Sequence, residues 1–207
     1  MSRKSEEIVA CPHCGMENRM EKWESINTVL NPDAKEKLLT GELFTIHCEG
    51  CKKEFALLYD FLYHDMEQKL MVFCMGNEEE DPFLLLKKRT GEDCPEGYEQ
   101  RIVKDVRDLL EKVHLRTDGL DDRVMELVKH ILCLQMGTED TLRYLCKRSG
   151  AIHLYRSTEE GGSSFAVDEE LYRDVLIRTA ERLEAYTDHH RIDHRWAKEA
   201  IEKGILA

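Results

Sequence analysis

Two short stretches decide the fold of this chain, CPHCG at residues 11–15 and CEGC at residues 48–51. In each stretch two residues separate a pair of cysteines, so one tight turn can aim both sulfurs at a single point. Zinc favours four tetrahedral ligands, and thiolate is among its preferred donors. The two pairs therefore predict one zinc ion, which is structural because four sulfurs close its coordination shell. The predicted metal ligands are Cys11, Cys14, Cys48 and Cys51.

Other readings of the cysteines stay open at this point. A single Cys-x-x-Cys pair can do redox chemistry, but such a pair normally opens a helix after a strand, whereas both pairs here adjoin strand-like sequence in loops. His13 and His47 each neighbour a ligand cysteine, and either could replace one sulfur. Cys74 and Cys133 lie in apolar runs and are expected in the core, while Cys94 is expected as an exposed loop thiol.

The sequence around the two pairs predicts strands with one inserted helix. Asn31 can cap that helix, Pro32 suits its first position, and Gly41 suits its end. Apolar and polar residues alternate on both sides of the second pair, which is typical of strands. Residues 1–76 are therefore predicted to form a zinc-ribbon-like antiparallel β section with an inserted helix.

Residues 77–97 are predicted as a linker, and residues 98–207 as a mainly helical section. Two apolar stripes at helical spacing predict two helices, the second of them capped by Asp118. The first stripe holds Ile102, Val106, Leu109, Leu110 and Val113, and the second holds Leu120, Val124, Leu127, Val128, Ile131 and Leu134.

The end of the chain predicts a small hairpin and two more helices. AIHLYRS and SSFAV form the hairpin on either side of residues 158–162. Asp168 is expected to cap a helix that runs to about Tyr186, and Asp193 precedes a last helix. The predicted fold class is α+β.

Charge bears on the kind of partner. The chain has 30 basic and 42 acidic residues, a net charge of −12. Divided after Met75, the first part has 9 basic and 13 acidic residues, and the second has 21 and 29, so the parts carry −4 and −8. Nucleic acids are bound through clustered lysine and arginine, and no strong cluster is present. We therefore do not expect a general DNA or RNA binder.

Targeting signals are not evident. No apolar run reaches the roughly 18 residues that span a bilayer, and no long apolar segment follows the N-terminus. Eight cysteines without an export signal favour a reducing compartment. The sequence therefore predicts a cytoplasmic protein without a membrane contact, and it makes no prediction of oligomeric state.

No stretch carries a catalytic motif. The three residues YHD at 63–65 are adjacent, and neighbours on a strand point to opposite faces, so they cannot form a simple relay. His190 and His194 are four residues apart, but Asp193 resembles a helix cap between them, which favours a solvated loop over a metal site. We therefore predict no catalytic residue and no cofactor besides the zinc ion.

The first section resembles the CpXC family, which is named for two Cys-Pro-x-Cys motifs. The resemblance runs through CPHCG, WESINTVLNPDAKEKLLTGELF at 23–44, CEGC and LLYDFLYHDMEQKLMV at 57–72, and it extends into RIVKDVRDLLEKVHLRTDGLDDRVMELVK at 101–129. It implies a bacterial or archaeal protein with a zinc-ribbon-like core, and it implies no reaction. The second motif departs from the pattern, because Glu49 replaces the proline and Lys52 replaces the following glycine; Gly50 is expected to supply the flexibility instead.

These features favour a non-enzymatic zinc protein that docks a protein or peptide partner. An alternative is a nucleic-acid-associated regulator, because zinc ribbons also serve that role. A second alternative is an enzyme that uses His64 or His153 in an acidic cleft.

Overall fold

A computed structural model describes residues 2–75, 82–84, 87, 96–159, 161–186 and 189–207. Cys94 and most of the predicted linker 77–97 lie outside the described residues. The chain divides into two compact units, Met1–Leu109 and Leu110–Ala207. Both contain helices and sheets, which confirms the α+β class.

The first unit is built on a five-stranded mixed sheet and a separate two-stranded ribbon. The strands of this unit are β1 Arg3–Ala10, β2 Glu17–Asn27, β3 Thr45–His47, β4 Glu54–Ala56, β5 Phe61–Asp65, β6 Leu70–Cys74 and β7 Glu99–Val103. The sheet has the order β1-β2-β5-β6-β7, and β3 pairs with β4 alone. Within the sheet, β1/β2 and β5/β6 are antiparallel, whereas β2/β5 and β6/β7 are parallel.

The helix α1, Pro32–Thr40, lies between the two cysteine pairs, as the sequence predicts. Gly41 ends it in the left-handed conformation (φ 80°), and its N–H donates to the Leu38 carbonyl. Asn31 does occupy the N-cap position, but its side chain makes no capping hydrogen bond. The prediction that Asn31 caps this helix with its side chain is therefore wrong.

The start of the next helix also differs from the prediction. Ile102 belongs to strand β7, which pairs with β6 in the first unit's sheet, and not to the helical stripe. The helix α2, Val106–Thr117, begins only after Asp105, whose carboxylate accepts a hydrogen bond from the Asp108 N–H at 3.0 Å. Pairing with β6 explains the difference, because it buries Ile102 in a strand.

The second unit packs helices against an antiparallel three-stranded sheet. After α2, which begins in the first unit, its elements are α3 Asp122–Met136, β8 Thr141–Arg148, β9 Ala151–Thr158, β10 Gly161–Asp168, α4 Glu169–Leu183 and α5 His194–Glu202. The sheet order is β10-β9-β8. The predicted hairpin corresponds to β9 and β10. The sequence does not predict β8, whose register is broken by an irregularity between Tyr144 and Cys146.

The helix caps of the second unit are aspartates. Asp121, not the predicted Asp118, caps α3 by accepting a hydrogen bond from the Arg123 N–H. Asp118 instead accepts a hydrogen bond from the Tyr144 hydroxyl. Asp168 and Asp193 cap α4 and α5, as predicted.

Each unit has a core of its own. In the first unit the fully buried side chains include Ile26, Leu38 and Tyr63. The second unit has one large cluster, which includes Val124 and Leu154. Trp23 and Trp196 are both buried.

Buried ion pairs join α2 to α3 in the second unit. Lys112 lies 2.8 Å from Asp122, and Lys129 lies 2.9 Å from Glu111 and 2.8 Å from Glu126. All five residues are buried. Such charges are tolerated in a core only when they are paired, which these contacts achieve.

Among the described residues, no helix combines the length and the apolar character needed to cross a bilayer.

Candidate metal centre

Each cysteine pair lies in the turn of an antiparallel hairpin. Cys11 and Cys14 lie between β1 and β2, and Cys48 and Cys51 lie between β3 and β4. The predicted zinc-ribbon-like arrangement consists of these two hairpin turns, which we call the first and the second knuckle.

The two knuckles share one backbone pattern. In the first, the Cys11 N–H donates to the Met16 carbonyl and the Gly15 N–H donates to the Cys11 carbonyl, both at 2.9 Å. In the second, the Cys48 N–H donates to the Lys53 carbonyl and the Lys52 N–H donates to the Cys48 carbonyl, both at 3.0 Å. The same turn is therefore formed twice, from different residues.

The four sulfurs converge on one point. The Sγ atoms of Cys11 and Cys51 are 3.8 Å apart, and those of Cys14 and Cys48 are 3.6 Å apart. All four Sγ atoms lie within 4.8 Å of one another. Ligands about 2.3 Å from a tetrahedral ion are about 3.8 Å apart, so the sulfurs fit a metal ion. They are too far apart for disulfides, and all four cysteines are free.

The exposure of the ligands differs between the two positions of each knuckle. The first cysteine of each pair is buried, since Cys11 and Cys48 are 2% and 1% exposed. Cys51 is partly buried and Cys14 is exposed. The site therefore lies at the surface, with one side against the protein.

The thiols of Cys48 and Cys14 differ in pKa when no metal is bound. The N–H groups of Cys51 and Gly50 donate to the Cys48 sulfur and, against the effect of burial, lower the pKa of that thiol to about 6. The Met16 N–H donates to the Cys14 sulfur and lowers the pKa of that thiol. The contacts with the sulfurs of Cys48, Cys51 and Cys11, together with desolvation, have the larger opposite effect and raise the pKa of Cys14 to about 11. Thiols this close cannot all ionise without a compensating charge, and a divalent cation supplies that charge.

Asn18 connects the two knuckles. Its side-chain oxygen accepts a hydrogen bond from the Glu49 N–H at 3.1 Å, and its amide nitrogen donates to the Met16 carbonyl at 2.8 Å. The same nitrogen lies 3.7 Å from the Cys48 sulfur. Asn18 is 5% exposed, so these contacts satisfy an otherwise buried amide. The sequence does not predict this role, because no spacing rule singles out one asparagine in a strand.

The residue that follows the second knuckle takes a left-handed conformation. Lys52 has φ 60°, and Gly15, its counterpart in the first knuckle, has φ 75°. Gly50 has no positive φ, so the expectation that it supplies the missing flexibility is wrong. A Cβ at this position would lie 2.5 Å from the sulfur of the exposed Met16 side chain, which would have to move aside.

Neither neighbouring histidine joins the sulfurs. Among the described residues, the group of side chains close enough to share a metal consists of the four cysteines. The His47 Nδ1 lies 3.3 Å from the Glu54 carboxylate, and both side chains are exposed. His13 contributes its backbone N–H, which donates to the Cys11 sulfur at 3.4 Å.

The histidines that the sequence offers as candidates for catalysis or metal binding lie on β5, on β9 and around the start of α5. On β5, the Tyr63 hydroxyl donates to the Asp65 carboxylate at 3.0 Å, while the His64 ring contacts the Tyr98 hydroxyl. That residues 63–65 form no catalytic relay stays a prediction. His153 lies on β9, His190 precedes the Asp193 cap, and His194 is the first residue of α5.

Comparison with known proteins identifies a family. The family model for the CpXC protein matches residues 9–129, which is more than half of the chain and includes both knuckles. No curated protein and no solved structure matches the chain.

Proposed function

The chain belongs to the CpXC family, and we propose that it is a structural zinc protein that acts as a non-enzymatic protein-interaction or regulatory module. The observation that carries this proposal is the convergence of four sulfurs, all within 4.8 Å of one another. Four thiolates in a tetrahedron suit zinc or iron. Zinc is the ion we propose, because the role requires a redox-inert cross-link and no reaction.

The ion would join two segments that are distant in the chain. Cys14 and Cys48 are 34 residues apart, and α1 and β2 lie between them. Metal binding by such a pair of knuckles stabilises the fold because the unfolded chain does not hold the sulfurs together. A closed shell also leaves no open position for water or substrate, which supports a non-enzymatic role.

An exposed apolar group near the end of β2 supports protein docking. Val29, Leu30 and Met66 are 50%, 61% and 47% exposed, and we call these three residues the apolar turn. All three contact the buried side chain of Asn27, whose oxygen accepts hydrogen bonds from the backbone N–H groups of Val29 and Leu30. The Asn27 amide nitrogen lies 3.1 Å from the Met66 sulfur. A fixed apolar surface loses little conformational entropy when a partner covers it.

Affinity capture with matched variants tests the docking role. Leu30→Ser should reduce the protein recovered with the tagged chain from the producing cells by about tenfold, the loss of roughly 1.4 kcal/mol. Leu134→Ser changes a leucine that is 65% exposed, in the second unit, and should leave recovery unchanged. Zinc is measured in the same samples, so a failed docking role is distinguished from a failed metal site. Equal recovery with both variants would contradict docking through the apolar turn.

The two alternative functions, a nucleic-acid regulator and an enzyme, predict different experimental results. A nucleic-acid regulator would need clustered basic residues, but Lys52 and Lys53 are flanked by Glu49 and Glu54. We expect no micromolar binding of random duplex at about 0.15 M salt, and binding that fades with added salt would favour this alternative. Turnover abolished by a change of His64 or His153, with zinc and fold retained, would favour an enzyme.

A further inference from the structure

In the part of the chain that the structure describes, the strand β10 is an edge strand of the second unit's sheet. The register places Thr158 opposite Gly161, on either side of the turn that joins β9 to β10. A two-residue turn closes on a hydrogen-bonded pair, and the pairs then alternate, so Gly162, Ser164 and Ala166 direct their backbone groups away from β9. Among the described residues, these three form no backbone hydrogen bond outside the pairing of the strands.

Most of this edge lacks the features that discourage strand pairing. Charged side chains, prolines and bulges normally protect a free edge. The sequence GGSSFAV at 161–167 has no charge and no proline, and its register with β9 has no irregularity; the one charged residue of β10 is Asp168, at its end. The opposite edge, β8, has an irregular register and ends in Lys147 and Arg148. The edge strand β1 of the first unit has Arg3, Lys4 and two glutamates.

Small residues leave room for another backbone at β10. Gly161–Ser164 are exposed and have short side chains or none. The Tyr155 side chain of β9 lies across Gly162, where an added Cβ would collide with the Tyr155 hydroxyl. The glycine at 162 therefore makes room for the Tyr155 ring.

We propose that β10 pairs with β10 of a second copy, antiparallel across a two-fold axis, to join two three-stranded sheets. A two-fold axis perpendicular to the sheet brings two identical edge strands together in antiparallel orientation, in an interface that uses the same residues of both copies. The net charge of the chain is −12, so most surfaces of two copies repel one another, whereas residues 161–167 are uncharged. The association does not involve the cysteine site and stands independently of the zinc proposal.

Sedimentation equilibrium with two variants at one position tests this pairing. The wild-type mass should rise from 24.2 kDa toward twice that value between about 10 and about 500 µM, as expected of a small interface. Ser164→Pro removes an outward N–H and should weaken association at least about tenfold. Ser164→Ala keeps that N–H and should associate like the wild type. A wild-type mass of 24.2 kDa up to about 1 mM, or unchanged association of folded Ser164→Pro, would overturn the proposal.

Hydrogen exchange of the wild-type chain tests the pairing of β10 if Ser164→Pro does not fold. The amides of Gly162, Ser164 and Ala166 should exchange more slowly as protein concentration rises, because pairing would occupy their N–H groups. The amides of β8 provide the internal control and should not change. Exchange at these three positions that is independent of concentration would overturn the proposal.

Discussion

At the scale of single residues, the two knuckles differ in residue type but not in conformation at the position after the second cysteine. The first knuckle has Gly15 there and the second has Lys52, yet both positions have positive φ. An L-residue in this region brings its Cβ close to the backbone, which glycine avoids. Lys52 therefore holds a strained conformation that the surrounding turn imposes.

Replacing that lysine should stabilise the protein. Lys52→Gly should raise the free energy of unfolding of the zinc-loaded protein by about 1 kcal/mol, because glycine relieves the left-handed strain. Urea denaturation followed by tryptophan fluorescence measures it. Lys53→Gly is the matched control, and because Lys53 has no positive φ it should gain nothing. An equal effect of both substitutions would show that the left-handed conformation is not the cause.

Asn18 should affect the affinity for the metal although it is not a ligand. Asn18→Ala removes the contacts with Glu49, Met16 and the Cys48 sulfur, so zinc affinity should fall about 10- to 100-fold. Competition with a chromophoric chelator gives the affinity. Asn31→Ala serves as the control, since the Asn31 side chain does not cap α1. If both variants bind zinc like the wild type, Asn18 does not support the site.

At the scale of elements, the sequence predicts those whose signal is local. Gly41 ends α1 and Asp193 caps α5 because such signals depend on neighbouring residues alone. The strand β1 is not predicted, since its sequence RKSEEIVA is polar and only partly buried, and pairing with β2 defines it. Asp118 and Asp121 are equally good caps by residue type, and tertiary contacts distinguish them, because the Tyr144 hydroxyl and the Lys147 N–H both donate to Asp118.

Only part of the candidate site can be predicted from the sequence. The four ligand cysteines follow from spacing, because a knuckle is formed within a few residues. Asn18 and the left-handed Lys52 depend on how the two hairpins meet, which spacing does not encode.

The contact between α1 and β5 should make the first unit sensitive to acid. Burial alone would raise the pKa of Asp65, but donation from Lys35, the Gln68 N–H and the Tyr63 hydroxyl holds that pKa below its ordinary value. The resulting stability is fully present above the unfolded pKa of about 3.9 and is lost as pH falls through the lower folded pKa. Asp65→Asn should therefore cost about 1–3 kcal/mol at pH 7 and flatten the loss of stability below about pH 4.

Urea unfolding at several pH values measures this effect. Lys35→Ala is the comparison, since it removes the cation 2.8 Å from the carboxylate and should shift the acid transition to higher pH. A slope below about pH 4 that is the same in Asp65→Asn and in the wild type would contradict the assignment to Asp65.

At the scale of the whole molecule, the two units have separate cores, and the metal ligands belong to one of them. The ligands lie within Met1–Leu109, whereas the large buried cluster extends from Leu115 to Ile205 in the second unit. Metal affinity is coupled to folding where the ligands are. Loss of the metal should therefore act on the first unit.

Hydrogen exchange of a variant that lacks one metal ligand tests whether loss of the metal affects the first unit alone. Cys11→Ser should speed amide exchange in β1 and β2 at least about tenfold while α3 and α5 change little, because their apolar contacts do not involve the knuckles. Cys74→Ser is the control, since it changes a buried thiol of the same unit that is not a ligand. Exchange that rises equally along the whole chain would mean that the units share one core.

X-ray absorption at the zinc edge, together with the metal content of the purified chain, tests the central claim most directly. We expect one zinc ion per chain with four sulfur neighbours at about 2.3 Å. The observed sulfur separations of 3.6 and 3.8 Å already suit such a shell. A chain purified without metal, a shell that contains nitrogen or oxygen, or iron in place of zinc would contradict a structural zinc site made of four cysteines.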